Sequence, residues 1–258
     1  MTGRQLKTLL FVPASRPERI VKALSAGAGA VIVDLEDAVP LDAKESARAA
    51  LDHFLSSHHG AHIYVRVNSR GTADFEADLA LCQRHGNVTG IMLPKVDSVC
   101  DVEVVTAIGK PVIPLIESAC GLVALNDIAS AVGVERLGYG GLDLSNDLGV
   151  DCDTEGAETM LDQCRYQLLV SSRAANLQAP IETVFPVFDD EKAIYERARR
   201  ARNMGFGAML CIHPKQIAPA QAGFSPDPEQ VEWARKVVTA AESTTGAFQV
   251  DGQMVDGP

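Results

Sequence analysis

Eight apolar, β-branched runs alternate along this chain with stretches of helical periodicity, and few folds accommodate that rhythm. The runs are KTLLFVP at 7–13, GAVIVDLED at 29–37, HIYVRVN at 62–68, TGIMLPK at 89–95, PVIPLIES at 111–118, RLGYGGLD at 136–143, APIETVF at 179–185 and GAMLCIHP at 207–214. Most read as continuously apolar, as parallel strands covered on both faces do. Amphipathic segments span 16–26, 42–57, 72–85, 98–108, 121–131, 155–176 and 189–204. Eight such units predict an α/β fold, a (β/α)8 TIM barrel, with an open doubly wound sheet as the alternative. At 258 residues the chain suits one barrel.

Local signals refine the pattern. Pro17 suits a first helical turn, Asp42 with Glu45 resembles a capping box, and Asp227 before Pro228 opens a further amphipathic helix over 226–243. AFQVDGQMVDGP then places two short apolar segments around Asp251-Gly252, a hairpin signal. The expected organisation is a catalytic barrel over 1–225, then a C-terminal helix and short tail over 226–258, which either frays or docks on an adjacent subunit.

Glu36, Asp37, Arg66, Lys95, Glu117, Asp143 and His213 all fall at the C-terminal ends of the expected strands, the face where barrel active sites are built. Glu117 and Asp143 form a candidate site for a hard cation such as Mg2+, which takes one or two carboxylates and completes its octahedron with water and substrate oxygens. Any one of these acids alone is explained as well by helix capping. Two acids converging with Arg66 favour a site. His213 reads as a structural hydrogen-bonding group, and Asp147, Asp151, Asp153, Glu155 and Glu158 as a solvated helix start.

A net charge of −11 argues against nucleic acid or an anionic membrane as partner, while leaving room for a basic pocket holding a small anion. The six cysteines, with no CxxC pair and no zinc spacing, read as reduced core or helix residues. The apolar stretch before Pro13 is too short for a signal-peptide core, and no run approaches transmembrane length. A cytoplasmic location is expected.

Taken in order, FVPASRPER, VIVDLEDAV, YVRVN, IMLPK, PLIES, GYGGLDLSNDLG and CIHPKQI resemble the citrate lyase β-subunit-like family, of the HpcH/HpaI aldolase/citrate lyase superfamily, which includes malyl-CoA and citramalyl-CoA lyases. The similarity covers nearly the whole chain. It implies a Mg2+-dependent barrel that makes or breaks a C–C bond beside an acyl thioester. By this resemblance Glu117 and Asp143 match the Mg2+ ligands, and Arg66 matches the arginine that contacts substrate. Glu117, Gly140, Gly141, Arg16 and Lys95 are the further expected substrate contacts. The glycines admit backbone N–H groups to a carboxylate or serve a tight turn; Arg16 and Lys95 meet CoA phosphates or the substrate carboxylate, with a solvated charge as the alternative for Arg16. Glu36 and Asp37 either orient Arg66 and metal-bound water or cap a helix. The C-terminal pattern G-x-M-V-D-x-P makes Asp256 the candidate acid in a neighbouring subunit's site, the alternative being a frayed terminus.

The implied reaction is retro-Claisen cleavage of a short 3-hydroxyacyl-CoA, of citramalyl-CoA or malyl-CoA type, to acetyl-CoA and a 2-oxo acid. A homo-oligomer, trimer or hexamer, is expected. Alternatives are malyl-CoA-type thioester hydrolysis, a citrate lyase β-subunit acting on an acyl carrier protein in a complex, and a non-catalytic binding barrel. Met209, where relatives often carry lysine, and Glu182, where aspartate is common, are expected to reshape the substrate pocket.

Overall fold

Each apolar run coincides with a parallel strand, β4 starting one residue before its run: Thr8–Pro13 (β1), Ala30–Asp34 (β2), Ile63–Arg66 (β3), Val88–Leu93 (β4), Val112–Ile116 (β5), Gly138–Tyr139 (β6), Ile181–Glu182 (β7) and Ala208–Cys211 (β8). They pair in chain order, and β8 returns to β1 to close a (β/α)8 barrel. The structure, a computed structural model, describes residues 6–242 and 246–256. It divides into two compact units, one ending at Phe224 and one beginning at Ser225.

Helices Pro17–Leu24 (α1), Lys44–Ser57 (α2), Phe75–Arg84 (α3) and Val99–Thr106 (α4) follow the first four strands. Ala119–Val123 (α5) and Leu125–Ser130 (α6) follow β5, Gly141–Asp147 (α7) and Glu155–Ala174 (α8) follow β6, Glu191–Asn203 (α9) follows β7, and Ile217–Gly223 (α10) follows β8.

Side chains of a strand alternate faces, so every strand divides its residues between the barrel interior and the helix layer. Leu9, Ile32, Tyr64, Met92, Ile113, Leu115, Ile181, Ala208 and Leu210 fill the interior as one cluster. Leu10, Val33, Val65, Met209 and Cys211 join the larger core under the helices. Continued to the strand ends, the inward parity brings Asp34, Arg66, Glu117, Gly140, Thr183 and Ile212 to one cavity at the C-terminal mouth.

Several expectations change. A 3-10 turn over Leu41–Ala43 precedes α2, so the N-cap falls on Ala43 and the Asp42 box does not form. The 121–131 segment breaks into α5 and α6 at Ala124. RLGYGGLD is strand only at its centre: Gly141 begins α7, which moves Asp143 from a strand end to the first turn of a helix. Pro17 does open α1. The cysteines are free as expected, but Cys152 is exposed in a turn rather than in a helix or the core.

Glu182 faces outward from β7 and is 1% exposed. Arg165 reaches it through Nε and Nη2 at 3.0 Å each, Arg197 Nη2 at 3.1 Å and the Tyr139 hydroxyl at 2.7 Å. Glu158 belongs to the same network: burial works against its charge, but Arg197, Arg200 and Arg165 hold its carboxyl at about 2, so it is no solvated helix start. Glu182 and Met209 thus lie behind the strands and do not line the mouth cavity, contrary to the expectation placed on them.

The second unit holds Pro228–Ala241 (α11), opened by an Asp227–Gln230 capping box, and a hairpin of Phe248–Val250 (β9) and Gln253–Val255 (β10). Asp251 and Gly252 turn it with φ of 48° and 82°, as a type I′ turn requires. Among the described residues no helix is long and apolar enough to cross a membrane. Arg165→Met deprives buried Glu182 of its two-pronged partner and is expected to cost about 3 kcal/mol in urea unfolding; a loss well under about 1 kcal/mol would contradict that.

Candidate active site

Adjacent strands β2 and β3 set Asp34 beside Arg66 in register, and the inward parity turns both to the mouth. Arg66 Nε donates to Asp34 Oδ1 at 2.7 Å and Nη2 to Oδ2 at 2.6 Å, a bidentate fork. Asp34 also accepts from the N–H groups of Glu36 and Ala38, at 2.9 and 3.1 Å. The third nitrogen, Nη1, stands 3.1 Å from Glu36 Oε2 and 3.5 Å from Asp37 Oδ2, and the guanidinium lies over the Phe11 ring. Burial disfavours the Arg66 charge, but Asp34, Glu36 and Asp37 raise its pKa above the ordinary value. Sequence reading passed over Asp34. Its signal was there, as the earliest acid of VIVDLED at inward parity beside Arg66.

Glu36 is buried, and burial raises its carboxyl against the opposing pull of Arg66 and Lys95. The Lys95 ammonium pairs with Glu36 Oε1 and lies 3.6 Å from Asp37. Lys44, also buried, donates to the carbonyls of Leu35 and Glu36 at 2.7 and 2.6 Å, which anchors the acidic turn from behind. Lys95 adopts φ of 52°, and in this conformation its backbone N–H reaches Glu117 Oε2 at 2.8 Å. Lys95 therefore touches both acids without lining the cavity. Arg16 is the exposed N-cap residue of α1 and does not line it either. His213 caps the turn after β8, accepting from the Lys215 N–H at 3.2 Å, a structural role.

The mouth cavity, about 410 Å³, brings together Asp37, Arg66, Glu117, Gly140, Gly141 and Asp143, with Phe11, Asp34 and Thr183 on its wall. Glu117 is 5% exposed. Burial, then the negative charge of Glu36 and of Asp143, push its carboxyl up to about 7, against the Lys95 N–H. Gly140 leaves room beside it, because a Cβ there would run into the Glu117 side chain and force it to shift. Asp143 is exposed, and its side chain makes no hydrogen bond or ion pair among the described residues. Asp256, exposed and directly after β10, belongs to the second unit.

Among the described residues no three His, Cys, Asp or Glu side chains group as a complete metal cage. Two carboxylates on one cavity, with Glu117 short of positive charge and Asp143 unpaired, suit a cation that keeps most of its shell for water and ligand oxygens. The donor set fits Mg2+.

A closed parallel barrel with acids and a fixed arginine at its C-terminal mouth defines a barrel enzyme of the cation-assisted class. The family model described as HpcH/HpaI aldolase/citrate lyase matches residues 7–214, and the chain belongs to that family. It is 36% identical over 252 residues to a citrate lyase subunit beta-like protein of Mycobacterium tuberculosis, covering 96% of this chain and 90% of that one. A (3S)-malyl-CoA thioesterase of Cereibacter sphaeroides is 32% identical, covering 97% and 89%. The crystal structure of Mycobacterium tuberculosis CitE in complex with magnesium, acetoacetate and coenzyme A superposes with a TM-score of 0.86 at 34% identity, covering 98% and 93%. The chain is thus an enzyme of the aldolase and citrate lyase superfamily.

A cation at this site needs Glu117 as carboxylate, so binding must expel its proton below pH about 7, and apparent affinity must fall as pH drops through that value. Calorimetry of Mg2+ binding near pH 6, in buffers of different ionisation enthalpy, should register about one released proton, and Glu117→Gln should abolish it. An affinity unchanged between about pH 6 and 8 would contradict this assignment.

Proposed function

We propose that the chain is a Mg2+-dependent carbon–carbon lyase that cleaves a short 3-hydroxyacyl-CoA, of citramalyl-CoA or malyl-CoA type, to acetyl-CoA and a 2-oxo acid. The observation that carries it is the fork-clamped Arg66 sharing one cavity with Glu117 and Asp143. A relative that binds magnesium, acetoacetate and coenzyme A supports it.

Glu117 and Asp143 hold the Mg2+, which when bound supplies Lewis-acid stabilisation of the oxygens on the departing 2-oxo acid portion. Arg66 binds the thioester oxygen and stabilises the negative charge that grows there as the C–C bond breaks and the acetyl portion becomes an enolate. Because Asp34, Glu36 and Asp37 already hold the guanidinium, little reorganisation accompanies that step. Gly140 and Gly141, without Cβ atoms, leave room on the cavity wall for the substrate carboxylate, and Arg16 and Lys95, which stand outside the cavity, supply cations for the CoA phosphates.

Asp256, from an adjacent subunit of a homo-oligomer, acts as acid and base: the proton that leaves the substrate hydroxyl as the C–C bond breaks is taken up there and delivered to the enolate carbon. A helix without a single buried residue, with Trp233 and Val238 exposed, is consistent with a unit that meets a neighbour. Free cysteines fit work in the cytoplasm.

Purified protein with Mg2+ should release pyruvate or glyoxylate from the matching CoA ester, and Arg66→Met should lower kcat by about 10²–10³-fold. Free thiol appearing with intact malate or citramalate would instead make it a thioesterase, like the Cereibacter sphaeroides relative. Activity confined to a carrier-protein complex would favour the citrate lyase β-subunit reading, and no turnover at all would sink the proposal.

Asp256→Asn and Glu117→Ala proteins, each inactive alone, should regain activity when unfolded and refolded together, since mixed oligomers can pair an intact Glu117 with an intact Asp256. An active Asp256→Asn protein would remove this residue from the chemistry.

A further inference from the structure

Thr183 stands one residue past β7, 4% exposed, on the wall of the mouth cavity. Its Oγ1 accepts a hydrogen bond from the Gly141 N–H at 2.8 Å. Among the described residues its own O–H has no acceptor. A buried hydroxyl left without an acceptor is costly, and a donor already polarised by an incoming N–H is a stronger one. Val184, Leu210 and Ile212, on the same wall, offer no acceptor side chain, so the cavity itself is where one can enter.

The barrel order decides which part of a ligand that acceptor belongs to. Strand β7 stands four places from β3, on the far side of the mouth from Arg66, and next to β6 and α7, which bring Gly140, Gly141 and Asp143. A group held by Thr183 is therefore not the thioester oxygen that faces Arg66.

We propose that Thr183 orients the substrate: its hydroxyl donates to a carboxylate oxygen of the 2-oxo acid portion while accepting from Gly141. This rests on the lyase reading above, and it gives the short β7 a part in selecting the 2-oxo acid.

The competing role is support alone, in which Thr183 only fixes the start of α7 and hence Asp143. Calorimetry separates the two. Mg2+ is titrated first, then pyruvate and glyoxylate at saturating Mg2+, on wild-type, Thr183→Val and Thr183→Ser proteins. Thr183→Val should weaken 2-oxo acid binding roughly tenfold to a hundredfold while Mg2+ affinity stays within about twofold, and Thr183→Ser should restore most of the loss. Thr183→Ala gives the same comparison if the valine protein does not fold. Unchanged 2-oxo acid affinity, or Mg2+ and 2-oxo acid weakened in step, overturns the inference while leaving the lyase reading intact. Wild-type protein that binds Mg2+ but neither 2-oxo acid counts against the lyase reading itself and removes the inference with it.

Discussion

The bidentate pairing of Arg66 with Asp34 is the interaction on which the mouth of this barrel depends. A largely buried guanidinium is tolerable only where carboxylates meet it in good geometry, and the parallel register of β2 and β3 provides that geometry for the Asp34 fork. Everything nearby adapts to it. Glu36 and Asp37 crowd the remaining nitrogen, Lys95 pairs with Glu36, and Lys44 ties down the turn that carries both acids.

Electrostatic strain is concentrated one step further on. Glu117 is buried near Glu36 and Asp143, with a single backbone N–H as its hydrogen-bond donor among the described residues, which is why its carboxyl is pushed up. A protein of net charge −11 could disperse such repulsion over its surface, yet here acids are gathered at one mouth. That arrangement is reasonable for a site that receives a cation, and costly for a purely structural one. The contrast with Glu182 is instructive: equally buried, it meets two arginines and a tyrosine, and it serves packing behind the strands.

The alternation of apolar runs and amphipathic segments made the barrel legible, because period and length distinguish parallel strands from helices before any contact is known. Most mouth residues were legible too, since strand ends are marked by the switch from apolar to polar. What escaped were consequences of parity and register. Asp34 and Thr183 drew no reading, and Asp143 looked like a strand end, although two glycines had already turned the chain into α7. Glu182 and Met209 stood out as departures from a family pattern, but they point away from the cavity.

By itself, the sequence determined the barrel, the family and the cluster of acids with one arginine at the strand ends, because each is written in local composition and order. Only the tertiary structure decided which of those groups touch. The fork on Arg66, the raised Glu117 and the unanswered hydroxyl of Thr183 depend on neighbours 26 to 81 residues apart in the chain, brought together by barrel closure and strand register that no local pattern encodes.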